Sequence, residues 1–195
     1  MNEEEIMKKT IESSNFKNGL KNLESSLLLA SEGVGVEFGV YSGETLSIIR
    51  KYHTGPLFGF DSFEGLPEKW RGGFDQGLFS TSRIPTVEGA TIVVGLFSDT
   101  VPNTLKTFEQ PITFAHFDAD LYSSTIFALE QITPYLGTEC IFVFDEYQNY
   151  PEYEDHEYKA FQEWQGNNPE FCVESVSAFS HYEQATFKIT KQKEK

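Results

Sequence analysis

Val34-Gly35-Val36-Glu37-Phe38-Gly39-Val40-Tyr41-Ser42-Gly43-Glu44-Thr45 changes its periodicity twice, and its reading decides the fold. Val34, Val36 and Phe38 begin a short β-branched run that ends at Gly39, the pattern of a buried strand. Gly39 permits a tight turn, and Gly43 permits close backbone approach where a helix starts. Thr45 to Tyr52 reads as that helix, stopped by Gly55-Pro56. A full G-x-G-x-x-G is absent, because Tyr41 holds the middle glycine position. A glycine turn without a ligand is therefore a competing reading of the same stretch.

Downstream the alternation repeats. Strands are expected over Leu57–Phe60 (ending at Asp61), Ala90–Leu96, Ile112–Phe117 and Cys140–Phe144. Helices are expected over Pro102–Phe108, Ser124–Tyr135 and Tyr153–Gln165. Strand-like runs at Phe171–Val176 and Gln184–Ile189, with little between them, imply an antiparallel hairpin. The order predicts an α/β fold, a mostly parallel sheet covered on both faces. Ser62 to Gly89 interrupts it with glycines, prolines and polar residues. Long loops in compact domains are commonly functional, and Phe63, Trp70, Phe74 and Phe79 argue against plain disorder. This segment is expected to be a mobile cover over a pocket. Upstream, the first 31 residues read as helix, with Ile6, Met7, Ile11, Leu20, Leu23, Leu27 and Leu28 at helical spacing and a break at Asn15 to Asn18. The charged tail Lys191 to Lys195 is expected to fray.

Composition narrows the class. The 195 residues suit one domain, and a net charge of −15 with a pI near 4.6 argues against a sequence-independent grip on nucleic acid or anionic membrane. Two cysteines without a CxxC exclude a disulfide scaffold and a thiolate zinc site. No apolar stretch is long enough to span a bilayer and Met1 to Thr10 has no apolar core, so the expected location is the cytoplasm.

In open α/β sheets, ligands bind beyond the carboxyl ends of the strands. Gly39 ends the first strand. Asp61, about 20 residues on, is placed to accept hydrogen bonds from a ribose diol, or to cap the next segment. Phe97 and Ser98 would suit an adenine, although Ser98 or Asp99 could serve as an N-cap. Together these favour an adenosine-containing ligand. The fourth strand runs into Asp118-Ala119-Asp120 and the fifth into Asp145-Glu146. If those strands are neighbours, four carboxylates converge and repel unless a hard cation such as Mg²⁺ or Ca²⁺ joins them. Strand alternation points Asp118 and Asp120 in different directions and so gives them different roles. Tyr147, Tyr150 and Tyr153 fit a stacking surface or, more commonly, the core. His116 is the one histidine near these acids and fits a satisfied strand residue better than a ligand.

Phe60-Asp61-Ser62-Phe63-Glu64-Gly65-Leu66-Pro67-Glu68, Phe97-Ser98-Asp99-Thr100-Val101-Pro102 and Phe117-Asp118-Ala119-Asp120-Leu121-Tyr122-Ser123-Ser124-Thr125 resemble the macrocin O-methyltransferase family. The resemblance covers roughly Val34 to Gln165. It implies a Rossmann-like class I methyltransferase fold, with a seven-stranded sheet and a C-terminal antiparallel hairpin. The implied boundaries are an N-terminal helical lid over 1–31, the catalytic domain over 32–190 and a tail over 191–195. It implies S-adenosylmethionine as cofactor, Mg²⁺ as metal, and methylation of a sugar or phenolic hydroxyl of a small acceptor. Cofactor contacts would come from Glu37, Gly39, Ser42, Asp61, Ser62, Phe97, Ser98 and Asp118. Asp118, Asp145 and Glu146 would hold the metal, and Asp120 would be the general base. The family usually has two aspartates where this chain has Asp145-Glu146. The expected partner is a small-molecule acceptor, with a homodimer allowed and neither nucleic acid nor membrane involved.

Two enzyme alternatives fit less well. A short-chain dehydrogenase needs Tyr-x-x-x-Lys, which does not occur, and an α/β-hydrolase needs G-x-S-x-G, where this chain has Gly39-x-x-Ser42-Gly43. A binding protein that keeps the fold without acceptor chemistry is the remaining alternative.

Overall fold

Four strands carry a buried phenylalanine at or next to their carboxyl end, followed at once by a small or acidic residue: Phe38-Gly39, Phe60-Asp61, Phe117-Asp118 and Phe144-Asp145. In register, Phe38 pairs with Phe60 on one side and with Phe117 on the other, and Phe117 pairs with Phe144. The rings stack in that order, with centroids 5.3, 5.5 and 4.7 Å apart and planes within 17° of parallel. Offset stacking of this kind adds about 0.5–1.5 kcal/mol per pair beyond area burial. The row also sets the following residues, Gly39, Asp61, Asp118 and Asp145, at one level along the sheet edge.

The computed structural model describes residues 19–177 and 182–192. Helix α1 (19–27) is followed by β1 (Val34–Phe38), α2 (Glu44–Tyr52), β2 (Leu57–Asp61), β3 (Thr91–Val94), α3 (Phe97–Leu105), β4 (Ile112–Phe117), α4 (Tyr122–Ile132), β5 (Leu136–Phe144), α5 (Glu157–Asn167), β6 (Phe171–Ser175) and β7 (Ala185–Lys191). Short 3₁₀ turns cover Thr133–Tyr135 and Tyr153–Asp155. The sheet order is β3-β2-β1-β4-β5-β7-β6, parallel except for the antiparallel pairings of β7 with β5 and β6. This is the expected Rossmann-like, seven-stranded arrangement with its C-terminal hairpin.

Both central strands, β1 and β4, are buried along their whole length, which is why they read as near-continuous apolar runs. One face carries Val36, Phe38 and Phe117 against Val101 and Leu105 of α3, Leu129 and Ile132 of α4, and Phe161 and Trp164 of α5. The other packs Phe114, Ile141 and Val143 against Leu23 and Leu27 of α1 and Leu46 and Ile49 of α2. The described part of the N-terminal segment is therefore built into the core, and Asn22 and Ser26 hydrogen-bond the Thr186 hydroxyl of β7. Ile6, Met7, Ile11 and the break at Asn15 to Asn18 lie outside the described residues, as do Lys193 to Lys195. Lys191, assigned to the tail, ends β7. No helix among the described residues is long and apolar enough to cross a membrane.

Helix α3 departs from expectation. It starts at Phe97, not at Pro102, which lies inside it. Proline favours a first helical turn because its missing N–H is orphaned there anyway. Here the carbonyl left without a donor, one turn back, is that of the exposed Ser98, where water can serve it. Phe97, Ser98 and Asp99 are thus the helix's first turn.

Candidate active site

The chain runs β1, β2, β3 outward on one side and then restarts with β4 and β5 on the other, so strand order reverses between β1 and β4. A crevice opens at such a point. Gly39 marks it: with φ of +92°, a Cβ there would lie 1.8 Å from the Asp118 carbonyl oxygen. The Asp118 N–H in turn donates to the Phe38 carbonyl. Only glycine allows the two strand ends to approach this closely.

The turn after Gly39 is held by Asp61. Its Oδ2 accepts the Val40 and Tyr41 N–H groups at 2.8 Å each, and its Oδ1 accepts the Phe63 N–H at 2.7 Å. Tyr41, at the missing glycine's position, still takes a glycine-like φ of 42°. Such strain costs of order 1–3 kcal/mol and persists where surroundings enforce it; the two hydrogen bonds that the Val40 and Tyr41 N–H groups donate to Asp61 do so here. The capping reading of Asp61 is thereby realised, and Asp61 also lines the crevice.

The crevice is a cavity of about 510 Å³. Gly39, Asp61, Ser62, Phe97 and Ser98 line it from the β1–β3 side of the sheet, and Asp118, Asp120 and Glu146 from the β4–β5 side. Leu66, Trp70, Arg71, Phe74 and Phe79 of the connection between β2 and β3 form a wall. That connection is tied down by Ser123 Oγ donating to Glu68 at 2.6 Å and by Arg71 pairing with Glu183 at 3.3 Å. A second cavity of about 230 Å³, lined by Gly19, Leu20, Thr45 and Gln184, shares Asp118, Arg71 and Glu146 with the first.

Two of the expected cofactor residues lie elsewhere. Ser42 is exposed and lines an outer groove with Thr81 and Arg83. Glu37 is wholly buried behind the crevice, where it accepts the His116 Nδ1–H at 2.9 Å. His116 Nε2 faces Asp145 at 3.6 Å on its other side. Burial works against the imidazolium, but Asp145 and Glu37 outweigh it and hold its pKa well above the ordinary value. His116 is therefore a buried strand histidine hydrogen-bonded to Glu37 through Nδ1 and flanked by the Asp145 charge, while its Nε2 has no hydrogen-bond partner.

The acids differ from expectation in grouping. Ligand oxygens of Asp118, Asp120 and Glu146 lie within 4.8 Å of one another. Asp145, expected to ligate with Asp118 and Glu146, instead takes a hydrogen bond from Gln184 and faces His116. Burial opposes its ionisation, yet His116 holds its carboxyl below the usual value. Asp120 joins the group because the chain has left the strand: its φ is +61°, so strand alternation no longer separates it from Asp118. Burial and then the Asp145 charge push the Asp120 carboxyl up to about 7. The same causes hold those of Asp118 and Glu146 well above ordinary values. Glu146 Oε2 is buried without a partner. Three converging oxygen donors, one of them orphaned, suit a hard divalent cation.

Glu157, which sequence reasoning missed, is fully buried at the start of α5 and accepts the Glu146 N–H. Only its place after an aromatic-rich, acidic stretch hinted at it. Tyr147 and Tyr150 are core residues, the commoner of their two readings.

Residues 36–147 match the family model described as a methyltransferase domain, and the chain belongs to that family. Among solved structures it is similar to CalS11, a calicheamicin methyltransferase, at 22% identity and a TM-score of 0.66, covering 99% of this chain and 81% of that one. It is also similar to the O-methyltransferase NovP, at 18% identity and a TM-score of 0.64, covering 90% and 80%. An O-methyltransferase from Bacillus cereus in complex with SAH matches at 12% identity and a TM-score of 0.59, covering 94% and 90%. At these identities the likeness is one of fold. No curated protein matches the chain in sequence.

Proposed function

We propose that the chain is an S-adenosylmethionine-dependent O-methyltransferase that methylates a sugar-like or phenolic hydroxyl of a small acceptor with the help of a divalent cation. The observation that carries this reading is the crevice at the strand-order reversal, with the Gly39 turn and Asp61 on its β1–β3 side and three converging carboxylates on its β4–β5 side. The motif resemblance to macrocin O-methyltransferases and the similarity in fold to O-methyltransferases such as NovP support it.

The residues fit the cofactor. The close approach at Gly39 leaves backbone rather than side chain facing the crevice, Asp61 lines it where a ribose diol would lie, and Phe97 offers a flat face. They also fit a cation, which Asp118 and Glu146 would hold. When bound, S-adenosylmethionine supplies a methyl group already activated by its sulfonium. The chain must therefore align the acceptor hydroxyl and take its proton. Asp120 is the base: it lines the crevice beside Asp118 and Glu146, and burial and the Asp145 charge push its carboxyl up to about 7 before a cation binds. Leu66, Trp70 and Phe74 exclude water from that side. Possession of the fold without acceptor chemistry is the second reading, and none of the buried carboxylates would then need to converge.

The test is transfer of labelled methyl from S-adenosylmethionine to a panel of vicinal diols, sugars and catechols. Label should reach at least one acceptor, and a chelator should abolish it. Transfer to none, or transfer indifferent to chelator, contradicts the reading.

A further inference from the structure

Arg71 stands in the wall between the two cavities and, among the described residues, is the only Lys or Arg lining either. Its guanidinium carbon lies 4.0 Å from the centroid of Trp70, 4.4 Å from that of Tyr150 and 4.9 Å from that of Phe74. Three rings thus hold a planar cation in place, so little side-chain freedom remains to be lost on binding. Its partner Glu183 satisfies it poorly. Nη1 and Nη2 both reach the same Oε2, at 3.3 and 3.4 Å, well beyond the roughly 2.7–2.9 Å of a strong charge-assisted bond. Nε has no partner. The guanidinium is placed but has donors to spare, beside a floor of Asp118, Asp120 and Glu146 that would repel any anion lacking a cation to meet it.

We propose that Arg71 sets acceptor specificity, and that the acceptor class is a hydroxylated small molecule bearing an acid group, carboxylate or phosphate, which displaces Glu183 from Arg71. This rests on the transferase reading and adds the charge of the acceptor to it. The acid group would meet Arg71 while the hydroxyl lies at Asp120, and the apolar wall of Leu66, Phe79 and Leu96 would cover the remainder. A structural tie between Arg71 and Glu183 predicts that removing either partner acts alike. Recognition predicts opposite effects, because Glu183 competes with the acceptor.

The experiment is calorimetry on the protein loaded with SAH and Mg²⁺, with three probe pairs: catechol and 3,4-dihydroxybenzoate, glucose and glucuronate, glucose and glucose 1-phosphate. At least one acid-bearing member should bind about tenfold or more tightly than its neutral partner. The pair concerned tells carboxylate from phosphate. Arg71→Met should erase the margin, Arg71→Lys should keep part of it, and Glu183→Gln should keep or widen it. Should Arg71→Met fail to fold, the other two variants decide. The proposal is overturned if no acid-bearing member binds more tightly, if Arg71→Met keeps the margin, or if Glu183→Gln loses it. The SAH titration reports separately: absent SAH heat contradicts the transferase reading, whereas SAH heat without a margin contradicts only the role of Arg71.

Discussion

Asp61 and Asp118 hold equivalent places, each following a buried phenylalanine at the end of a parallel strand, yet they meet opposite surroundings. Asp61 accepts three backbone N–H groups, from Val40, Tyr41 and Phe63. Asp118 instead meets Asp120 and Glu146, and burial holds its carboxyl well above the ordinary range. One side of the crevice has its charge answered by the fold, and the other leaves it to be answered from outside. A carboxylate with its own donors organises a turn; carboxylates left facing one another make a place for a cation or a proton.

The sharpest way to break this contrast is at the unanswered side. Asp120→Asn should cut methyl transfer by about 10²–10⁴-fold, the scale of a missing general base, in a steady-state assay. Its melting temperature should still rise with Mg²⁺, since Asp118 and Glu146 remain. Undiminished turnover would remove Asp120 from the chemistry.

At the answered side, Asp61→Ala should lower stability and weaken SAH affinity by about 1–3 kcal/mol each, because three N–H groups lose a charged acceptor. Denaturant melts and calorimetry check this. A variant as stable as the parent, with the Tyr41 turn intact, would show that Asp61 is dispensable.

A smaller effect separates the two sides by pH. A carboxyl raised to about 7, as at Asp120, stabilises the metal-free fold below the unfolded pKa of about 4 and loses that contribution as pH climbs through 7. The carboxyls of Asp118 and Glu146 are raised as well, and a cation held by them requires their protons to leave. The gain in melting temperature on adding Mg²⁺ should therefore grow from pH 6 to pH 8, by about 2–4 °C for each kcal/mol. Asp61→Ala should show the same growth, and a gain independent of pH would contradict the raised carboxyls of the acid cluster.

The sheet was legible because its signals are local and redundant: buried β-branched runs, glycine turns and alternating helices point to one topology. The acids at the strand ends were legible as well, since each follows an apolar run directly. Their grouping was not. Alternation holds only within a strand, and Asp120 has already turned into a left-handed conformation that no pattern in Asp-Ala-Asp announces. Asp145 was diverted by His116 of β4 and Gln184 just before β7, partners fixed only by tertiary packing. Arg71 and Glu157 were invisible for the same reason: one lies in an irregular connection and the other begins a helix, and neither carries a motif. Pro102 misplaced the start of α3 because a proline marks a helix start by preference, not by necessity.

The central claim is that the two sides of the crevice work separately, the Gly39–Asp61 side holding the cofactor and the acid side serving the acceptor. Calorimetry with SAH, with and without chelator and repeated on Asp120→Asn, tests it most directly. The account predicts one site per chain with the same affinity in all three titrations. No heat of binding, or binding that vanishes with chelator, would contradict it.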